Sequence, residues 1–258
     1  INPMDLHCDA TTFRNYAGVE EHPTTEEEMQ APIDKHHLRE FDTYDELAEY
    51  VSGHPILSKI GLITKIRNGV TKHRFFLDTK EKLVKWITSK TQRVILPRIC
   101  DAVMRMLFLL SLIGTNSSLS VSSMVLDFTD AFWQVPINRT EQRFYFATTP
   151  LRWKRRYLAC TRAAQGSGNA PMLWARVARL IMCLTQSLFR PEEVILMCYV
   201  DDPLAAIMGT EDDRQLFTAI IRLVWEAIGF QLAYAKGQQG STVTWIGGTL
   251  TVEPEGAR

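Results

Sequence analysis

Two apolar runs, EVILMCYV and PLAAIM, are separated only by Asp201 and Asp202. Runs of this length predict buried β-strands, and the short connection between them predicts a tight turn. Two ionised carboxylates within about 4 Å repel by roughly 4 kcal/mol at an effective dielectric of 20, and desolvation by the strands adds to that cost. The chain must therefore either offset this charge or leave the pair at an exposed turn, where Asp is common.

The segments on either side of these strands complete a β, α, β, β, α, β order. VSSMVLDF predicts a strand, a helix begins near Asn169, and a second helix starts at Thr210 with an acidic first turn and ends at Gly229. FQLAYAK and TVTWIGGTL predict two further short strands. Because this is the order of the ferredoxin-like split βαβ arrangement, we expect an α+β fold with an antiparallel sheet and helices on one face.

A basic hairpin is predicted upstream. LITKIR and TKHRFFLD flank Asn68-Gly69, which is a strong short-range hairpin signal. The two strands carry four cations, namely Lys65, Arg67, Lys72 and Arg74. Residues 97–113 predict a mostly buried helix. Residues 1–55 are acidic and predict a largely irregular segment with one helix around Tyr44–Val51.

Charge is distributed unevenly along the chain, although its net charge is zero. Residues 1–60 carry 4 basic and 13 acidic side chains, whereas residues 61–200 carry 21 basic and 8 acidic ones. The basic part predicts a polyanionic partner, with a solvated basic face as the alternative. The five cysteines include no C-x-x-C pair, which argues against a disulfide framework and a zinc site. No apolar stretch is long enough to cross a bilayer and no targeting signal opens the chain, so we expect a soluble intracellular protein of the cytoplasm or nucleus with no membrane partner.

A third carboxylate, Asp127, ends its own apolar strand run in VLDFTDAFWQVPI. In the expected sheet this strand end can lie beside the end of the strand before Asp201, so Asp127, Asp201 and Asp202 would form one acidic cluster. A bound divalent cation would favour all three anions, and oxygen ligands of this kind suit Mg²⁺. Paired metals in such a cluster can activate an attacking hydroxyl and stabilise the leaving oxygen of a phosphoryl displacement.

Five motifs, in order, resemble those of the reverse transcriptases, especially those of retroviruses and long-terminal-repeat retrotransposons. YVDD at 199–202 resembles the Y-x-D-D signature, and LDFTDAFWQVPI resembles the first palm motif. AAQGSGNAP resembles the P-Q-G-x-x-N-A-P segment, GFQLAYAK the stretch that ends in a lysine, and TWIGGTL the hairpin that supports the primer end. The resemblance extends over residues 62–250, which is most of the chain.

The resemblance implies a polymerase palm and a fingers subdomain. Residues 121–250 would form the palm on the ferredoxin-like βαββαβ sheet, with a fingers-type insertion at about 137–165. Residues 56–120 would form the fingers part with the basic hairpin, after the acidic leader at 1–55. Residues 251–258 would be a tail, with the thumb absent. We expect the chain to be a piece of a longer polyprotein whose other domains, such as a thumb, a ribonuclease H and an integrase, are its partners.

The resemblance also implies a metal site. It assigns metal ligation to Asp127, the backbone carbonyl of Phe128, Asp201 and Asp202, which would hold two Mg²⁺ ions, with Mn²⁺ as an alternative. Lys236, which ends GFQLAYAK, matches the general acid near the leaving pyrophosphate. An exposed lysine without that role is the alternative.

Substrate-binding roles are implied for Arg67, Arg74, Phe132, Gln165, Gly166 and Tyr199. The two arginines match fingers positions that hold the incoming triphosphate, and planar donors suit phosphate oxygens. The phenylalanine matches the aromatic gate that would clash with a 2′-hydroxyl and so favours deoxynucleotides. The glutamine matches a residue that contacts the incoming nucleotide, and the glycine would let the backbone approach it. A solvated hairpin, a core aromatic and a polar loop are the respective alternatives.

The chain is thus expected to be a nucleotidyltransferase. Its activity would be that of an RNA-directed DNA polymerase, which adds deoxynucleoside triphosphates to the 3′-hydroxyl of a primer on an RNA or DNA template. Contacts to the nucleic-acid backbone would hold the template, because a polymerase must accept every sequence. The basic run RWKRR at 152–156 could supply such contacts, with a solvated charge run as the alternative.

Two departures from the family pattern bear on activity. Ala164 stands where a proline is usual before Gln165, and Pro203 directly follows the Asp pair. Proline removes a strand donor there and could shift the Asp202 carboxylate. An inactive palm, retained as a nucleic-acid-binding or assembly module, is therefore a second hypothesis. A third, an RNA polymerase, is disfavoured by Phe132 and Tyr199.

Overall fold

The computed structural model describes residues 9–51, 54–67, 69–80, 84, 92–116, 118–253 and 256–257. Asn68 of the predicted turn and the side chain of Arg67 lie outside this description. The chain forms two compact units. Unit 1 comprises residues 1–92 and 132–173, and unit 2 comprises residues 93–131 and 174–258.

The described elements are numbered in chain order. The strands are β1 (Leu38–Phe41), β2 (Lys59–Arg67), β3 (Val70–Asp78), β4 (Ser120–Val125), β5 (Phe146–Thr148), β6 (Tyr157–Cys160), β7 (Val194–Tyr199), β8 (Asp202–Gly209), β9 (Gln238–Gly240), β10 (Thr242–Trp245), β11 (Gly248–Glu253) and β12 (Gly256–Ala257). The α-helices are α1 (Ala17–Glu20), α2 (Thr25–Asp34), α3 (Tyr44–Val51), α4 (Ile99–Ile113), α5 (Arg139–Gln142), α6 (Ala170–Gln186) and α7 (Glu211–Ala227). Two 3-10 helices span Ala131–Gln134 and Tyr234–Lys236.

Unit 2 is built on a four-stranded sheet in the order β7-β8-β4-β9. All neighbouring strands in it are antiparallel. A βαββαβ chain whose two outer strands are its second and fourth produces this order, which confirms the ferredoxin-like arrangement. The second helix of the pattern, α7, begins at Glu211, one residue after the predicted start, and Thr210 is its N-cap. The Thr210 hydroxyl accepts from the Asp213 N–H while the Asp213 carboxylate accepts from the Thr210 N–H.

One face of this sheet packs against α4 and the hairpin β10–β11. Val125 of β4 and Leu204 of β8 join a buried cluster with Met106 of α4 and Trp245 of β10. The apolar residues of α4 recur at helical spacing, which aligns them along the side that faces the strands. This helix begins at Ile99, two residues after the predicted start, and the prediction that it is mostly buried was wrong, because only three of its 15 residues are buried.

The other face of the sheet is also covered. Met124, Ala205 and Ile207 alternate with the residues of the first face and are buried. α7 packs against β8 and β4, and Trp225 of α7 donates its indole N–H to the Thr185 hydroxyl of α6 at 2.8 Å. The two helices of the βαββαβ pattern therefore share one face, as predicted, and α4 adds a helix on the opposite one.

The segment FQLAYAK is not the strand that the sequence predicted. Its backbone bonds instead to the loop after β4, because the Thr129 N–H donates to the Gln231 carbonyl at 2.9 Å and the Ala233 N–H donates to the Asp127 carbonyl at 2.8 Å. The chain then forms the 3-10 helix Tyr234–Lys236, and only after it does β9 pair with β4. Lys236 consequently lies on a short helical turn beside the end of β4.

Unit 1 contains the predicted basic hairpin, β2–β3, and a three-stranded antiparallel sheet in the order β1-β6-β5. The hairpin turns at Gly69, whose φ of +76° lies in the left-handed region that glycine tolerates. Lys65 pairs with Lys72, and Ile63 pairs with Arg74. Because paired residues share a face, Lys65, Lys72 and Arg74 lie on one side of the hairpin, and all three are exposed.

Residues 9–51 are more regular than the sequence indicated. The helix α3 occupies the predicted residues, but α1, α2 and β1 form as well, and β1 pairs with β6 along its whole length. Val19 of α1 and Met29 of α2 are buried in a cluster with Leu77 and Leu158. Each of these two helices buries a single apolar residue. That leaves too weak a periodic signal for a sequence-based prediction.

The two units differ from the predicted domain boundaries. The helix α4 was expected with the fingers part at 56–120, but it belongs to unit 2 because its buried residues pack on β4 and β8. The insertion expected at 137–165 lies in unit 1 together with the basic hairpin. Residues 1–55 also belong to unit 1.

None of the helices in the described part of the chain combines the length and the apolar character that crossing a membrane requires.

Candidate functional site

The backbone of unit 2 brings Asp127 to the turn that carries Asp201 and Asp202. Beyond β4, the Leu126 N–H donates to the Pro203 carbonyl at 3.2 Å, and the Phe128 N–H donates to the Asp201 carbonyl at 3.1 Å. Asp127 lies between these two bonds, so its position relative to the β7–β8 turn is fixed on both sides. The three carboxylates therefore meet at one end of the sheet although they come from separate segments.

The three carboxylates influence one another electrostatically. Burial first, and then the charges of Asp201 and Asp127, raise the pKa of Asp202 to about 6, against an opposing effect of Lys236. Burial also raises the pKa of the neighbouring Cys198 thiol to about 12, with Asp201 and Asp202 adding to the effect. Both shifts arise first from burial, and the neighbouring carboxylates add to them.

Lys236 partly compensates the negative charge of the three carboxylates. Its ammonium contacts Oδ2 of Asp127 in an ion pair. The side chain of Asp127 is 16% exposed, whereas that of Lys236 is 63% exposed. The lysine thus reaches from a solvated turn to a mostly buried carboxylate.

The donor set fits a hard divalent cation chemically. It offers only carboxylate oxygens from three neighbouring residues, and the raised pKa of Asp202 shows that added positive charge would be favourable. Within the described ranges, however, no three His, Cys, Asp or Glu side chains are already arranged to hold a metal ion. Side-chain rotation at the three carboxylates would have to accompany metal binding.

Two tryptophans hold the turn that carries the Asp pair. Trp174 of α6 donates its indole N–H to the Val200 carbonyl at 2.6 Å, and Trp245 of β10 donates to the Asp202 carbonyl at 2.9 Å. Val200 has a φ of +55°, which is costly for a β-branched residue and requires support from its surroundings. No motif in the sequence predicted that Trp174 supports this turn. Its position near the start of α6 is the only sequence signal for this role.

The other two site residues of unit 2 are partly or wholly packed in its core. Phe128 is buried, and its ring lies 5.2 Å from that of Trp174 and 5.3 Å from that of Trp225. Tyr199 is half-buried at the end of β7, with its ring 6.5 Å from that of Trp245. The side chain of Phe128 thus anchors the loop whose backbone bonds to Asp201.

Pro203 leaves the hairpin intact. Tyr199 pairs with Asp202 and Cys198 with Pro203, and the β4 register continues from Leu204 opposite Val125. The Pro203 carbonyl still accepts from Leu126. Because proline has no N–H, Pro203 cannot donate a backbone hydrogen bond to the chain after β4. The pairing of β4 with β8 therefore ends at Val125, immediately before the loop that carries Asp127.

Unit 1 contains five of the six residues that are expected to bind the nucleotide, all except Tyr199. The Gln165 carbonyl accepts from the Leu77 N–H of β3 at 2.8 Å, which fixes its loop against the hairpin. Gly166 has a φ of +93°, and an added Cβ would lie 2.6 Å from the Leu77 carbonyl oxygen. Arg74 is exposed on β3, and Phe132 is half-buried in the first 3-10 helix. The structure thus gives Gly166 a packing role against Leu77.

The basic run RWKRR binds the chain's own N-terminal segment. Arg152 donates to the carbonyls of residues 21 and 22, Lys154 pairs with Asp42 at 2.9 Å, and Arg156 pairs with Glu40. Arg155 donates to the Phe13 carbonyl at 2.5 Å and the Thr149 carbonyl at 2.8 Å. These side chains therefore hold the acidic segment within unit 1, which explains the opposite charges of the two stretches.

Replacing Arg155 by methionine is expected to destabilise the protein by about 2 kcal/mol. The partly buried carbonyls of Phe13 and Thr149 would lose a charged hydrogen-bond donor. Burial lowers the pKa of Arg155, in agreement with a desolvated guanidinium. Urea unfolding measures the change. Lys154→Met is the control, since its ion pair is exposed and its loss should cost less than about 0.5 kcal/mol. Equal effects of the two substitutions would contradict this assignment.

The contribution of Asp202 to the stability of the metal-free protein is expected to fall as pH rises from about 4 to about 6. Asp202 has a pKa of about 6 in the folded chain against 3.8 for an ordinary Asp, so the folded state binds the proton more tightly between these values. Asp202→Asn should therefore be more stable than the parent at pH 7.5 by about 1 kcal/mol, after allowance for solvent screening, and equal to it below pH 4. Urea midpoints in EDTA measure this. A variant that is less stable at pH 7.5 would refute the assignment.

Comparisons with known proteins agree with this geometry. The sequence model of the family described as "Reverse transcriptase (RNA-dependent DNA polymerase)" matches residues 66–250, which include Asp127, Asp201 and Asp202. Among solved structures, the chain is similar to the foamy viral protease-reverse transcriptase dRH in complex with ds DNA, with 16% identity and a TM-score of 0.65. The similarity covers 95% of this chain and 36% of that chain, and at this identity it shows the fold alone. No curated protein matches the sequence. With most of its length matched by the family model, the chain belongs to the reverse transcriptase family.

Proposed function

We propose that the chain is the fingers and palm of an RNA-directed DNA polymerase, which adds deoxynucleotides to a primer 3′-hydroxyl by two-metal phosphoryl transfer. The observation that carries this proposal is the backbone bond from Phe128 to Asp201, which places Asp127 beside the Asp201-Asp202 turn. Membership of the family does not by itself require that the three carboxylates lie close together. The proposal is supported by the charges of Asp201 and Asp127, which add to the effect of burial on the pKa of Asp202.

The carboxylates of Asp127, Asp201 and Asp202 would hold two Mg²⁺ ions, or Mn²⁺ instead, together with the Phe128 carbonyl. Such ions supply positive charge to the attacking and leaving oxygens of a phosphoryl transfer. The Phe128 ring, buried among aromatic side chains, holds the ligand loop in place. Lys236 would give a proton to the leaving pyrophosphate, since its ammonium already lies at the edge of the carboxylate cluster.

The residues of unit 1 would bind the nucleotide. Arg74 shares an exposed hairpin face with Lys65 and Lys72, which suits the oxygens of a triphosphate. Arg67 is proposed for the same role, although its side chain lies outside the description. Gln165 would contact the nucleotide, Gly166 would let the backbone approach it, and Phe132 would exclude a 2′-hydroxyl. In unit 2, Tyr199 would complete this set.

We further propose an RNA or DNA template with its primer as the macromolecular partner. The structural neighbour is described in complex with ds DNA and as a protease-reverse transcriptase. On the resemblance of the five sequence motifs, we also propose that the chain is part of a retroelement polyprotein with thumb, ribonuclease H and integrase domains. Such a product would act in the cytoplasm or the nucleus.

Primer extension on poly(rA)/oligo(dT) with Mg²⁺ and thymidine triphosphate tests the proposal. The chain should extend the primer and should prefer the deoxynucleotide to the matching ribonucleotide. Phe132→Val, which removes the ring, should reduce that preference. Absence of extension under conditions in which the chain binds the primer–template would contradict the polymerase proposal.

The second candidate is a decayed palm that binds nucleic acid without extending it. It is favoured by the ion pair between Lys236 and Asp127, which compensates the acidic cluster without a metal. The intact hairpin around Pro203 counts against it. Binding of a labelled primer–template by fluorescence anisotropy, unaffected by Mg²⁺ and without product formation, would support this candidate.

A further inference from the structure

The side chain of Tyr234 ties the 3-10 helix Tyr234–Lys236 to α7. Its hydroxyl donates to the Glu226 carboxylate. The guanidinium carbon of Arg222 lies 5.3 Å from the centroid of the Tyr234 ring. Because Arg222 and Glu226 are four residues apart on one helix, they lie on the same face of α7 and hold the ring from that face.

The backbone confines the same turn on its other side. The Ala233 N–H donates to the Asp127 carbonyl at 2.8 Å, and the Gly237 N–H donates to the Tyr234 carbonyl at 2.9 Å. Gly237 approaches β4 so closely that an added Cβ would lie 3.0 Å from Cδ2 of Leu126. The turn is therefore fixed between α7 and the end of β4.

The ion pair of Lys236 depends on where this turn lies. The lysine side chain is long and mostly exposed, so it loses rotamer freedom when its ammonium stays at Asp127. If the turn shifts, the lysine side chain must lose a different amount of rotamer freedom to reach Asp127. A contact that fixes the backbone of the turn therefore also stabilises the ion pair between Lys236 and Asp127.

We propose that Tyr234 is a positioning residue that keeps the Lys236 ammonium at the Asp127 carboxylate through its hydroxyl bond to Glu226. Its effect on nucleotide addition rests on the proposed function, in which Lys236 serves the leaving pyrophosphate. Its effect on the ion pair does not depend on that function. The two effects can therefore be measured separately.

The variants are Tyr234→Phe, Lys236→Met and the double substitution. Tyr234→Phe removes only the hydroxyl and leaves the ring beside Arg222. Tyr16→Phe is the matched control, because its hydroxyl also donates to a carboxylate, that of Asp78 at 2.6 Å, but in unit 1. Glu226→Gln keeps an acceptor oxygen for Tyr234 and should therefore retain most of the parent activity and stability.

The first readout is primer extension. Tyr234→Phe should lower kcat about fivefold and leave the KM for the nucleotide within about twofold, since a positioning effect acts on the chemical step. The double variant should be no slower than Lys236→Met, because Tyr234 acts through that lysine. A double variant that is about fivefold slower than Lys236→Met would overturn the proposal, as would an equal loss in the Tyr16→Phe control.

The second readout is urea unfolding in EDTA, which needs no activity. The shift in midpoint caused by Tyr234→Phe should be smaller in the Lys236→Met background than in the parent, whereas that of Tyr16→Phe should be the same in both. If this holds but the parent does not extend primers, the positioning role stands and the polymerase proposal fails. If the parent extends primers and the shifts simply add, the positioning role fails alone.

Discussion

Asp127→Asn should lower the rate of primer extension by roughly 10³-fold, which corresponds to about 4 kcal/mol of barrier. The substitution keeps the size of the side chain but removes a charge that the proposed metal pair requires. The fold should persist, because the hydrogen bonds that place residue 127 come from the neighbouring backbone at Leu126 and Phe128. Steady-state extension at saturating nucleotide, with unfolding curves measured in parallel, tests this.

Asp212→Asn is the control for that experiment. Asp212 is an exposed carboxylate in the first turn of α7, so its replacement removes the same charge away from the turn that carries Asp201 and Asp202. Its extension rate should stay within about twofold of the parent. If Asp127→Asn retained more than a tenth of the parent rate, Asp127 would have no part in metal binding.

Gly166→Ala should destabilise the protein by about 3 kcal/mol. Part of this cost is the φ of +93°, which residues with a side chain rarely adopt, and part is the approach of the new Cβ to within 2.6 Å of the Leu77 carbonyl oxygen. The loop would have to move away from β3, breaking the bond from Leu77 to Gln165. The KM for the nucleotide should rise accordingly. Urea unfolding and nucleotide titration measure the two effects.

Gly18→Ala is the matched control for Gly166. It lies in α1, has open space around the position of the new Cβ, and has an ordinary helical backbone. Alanine there should leave stability unchanged or raise it by about 0.5 kcal/mol. Similar losses in both variants would mean that the close contact with Leu77 does not constrain Gly166.

Local pattern was sufficient for most of the βαββαβ order of unit 2. The alternation of apolar runs with helical stretches predicted all of its elements except the position of the last strand, and the acidic first turn after Thr210 predicted the start of α7. The convergence of Asp127 with Asp201 followed from topology, because the ends of β4 and β7 meet at one end of the sheet. These features depend on neighbours in sequence or on a known chain order.

Features that depend on distant contacts could not be predicted in this way. The indole N–H of Trp174 reaches Val200, and Arg155 reaches the carbonyl of Phe13 across more than a hundred residues. Hydrophobic periodicity does not predict either contact. From its composition alone, a run such as RWKRR is predicted to be solvated, because its hydrogen-bond acceptors lie far away in the sequence. The FQLAYAK segment has strand-like composition, but tertiary bonds to the loop after β4 override it.

The location of bound Mn²⁺ tests the central claim most directly. Crystals of the chain with primer–template, an incoming nucleotide and Mn²⁺ should show anomalous peaks within about 2.2 Å of carboxylate oxygens of both Asp127 and Asp201. Metal bound elsewhere, or an Asp127 that keeps only its lysine partner while the nucleotide is in place, would contradict a shared metal site.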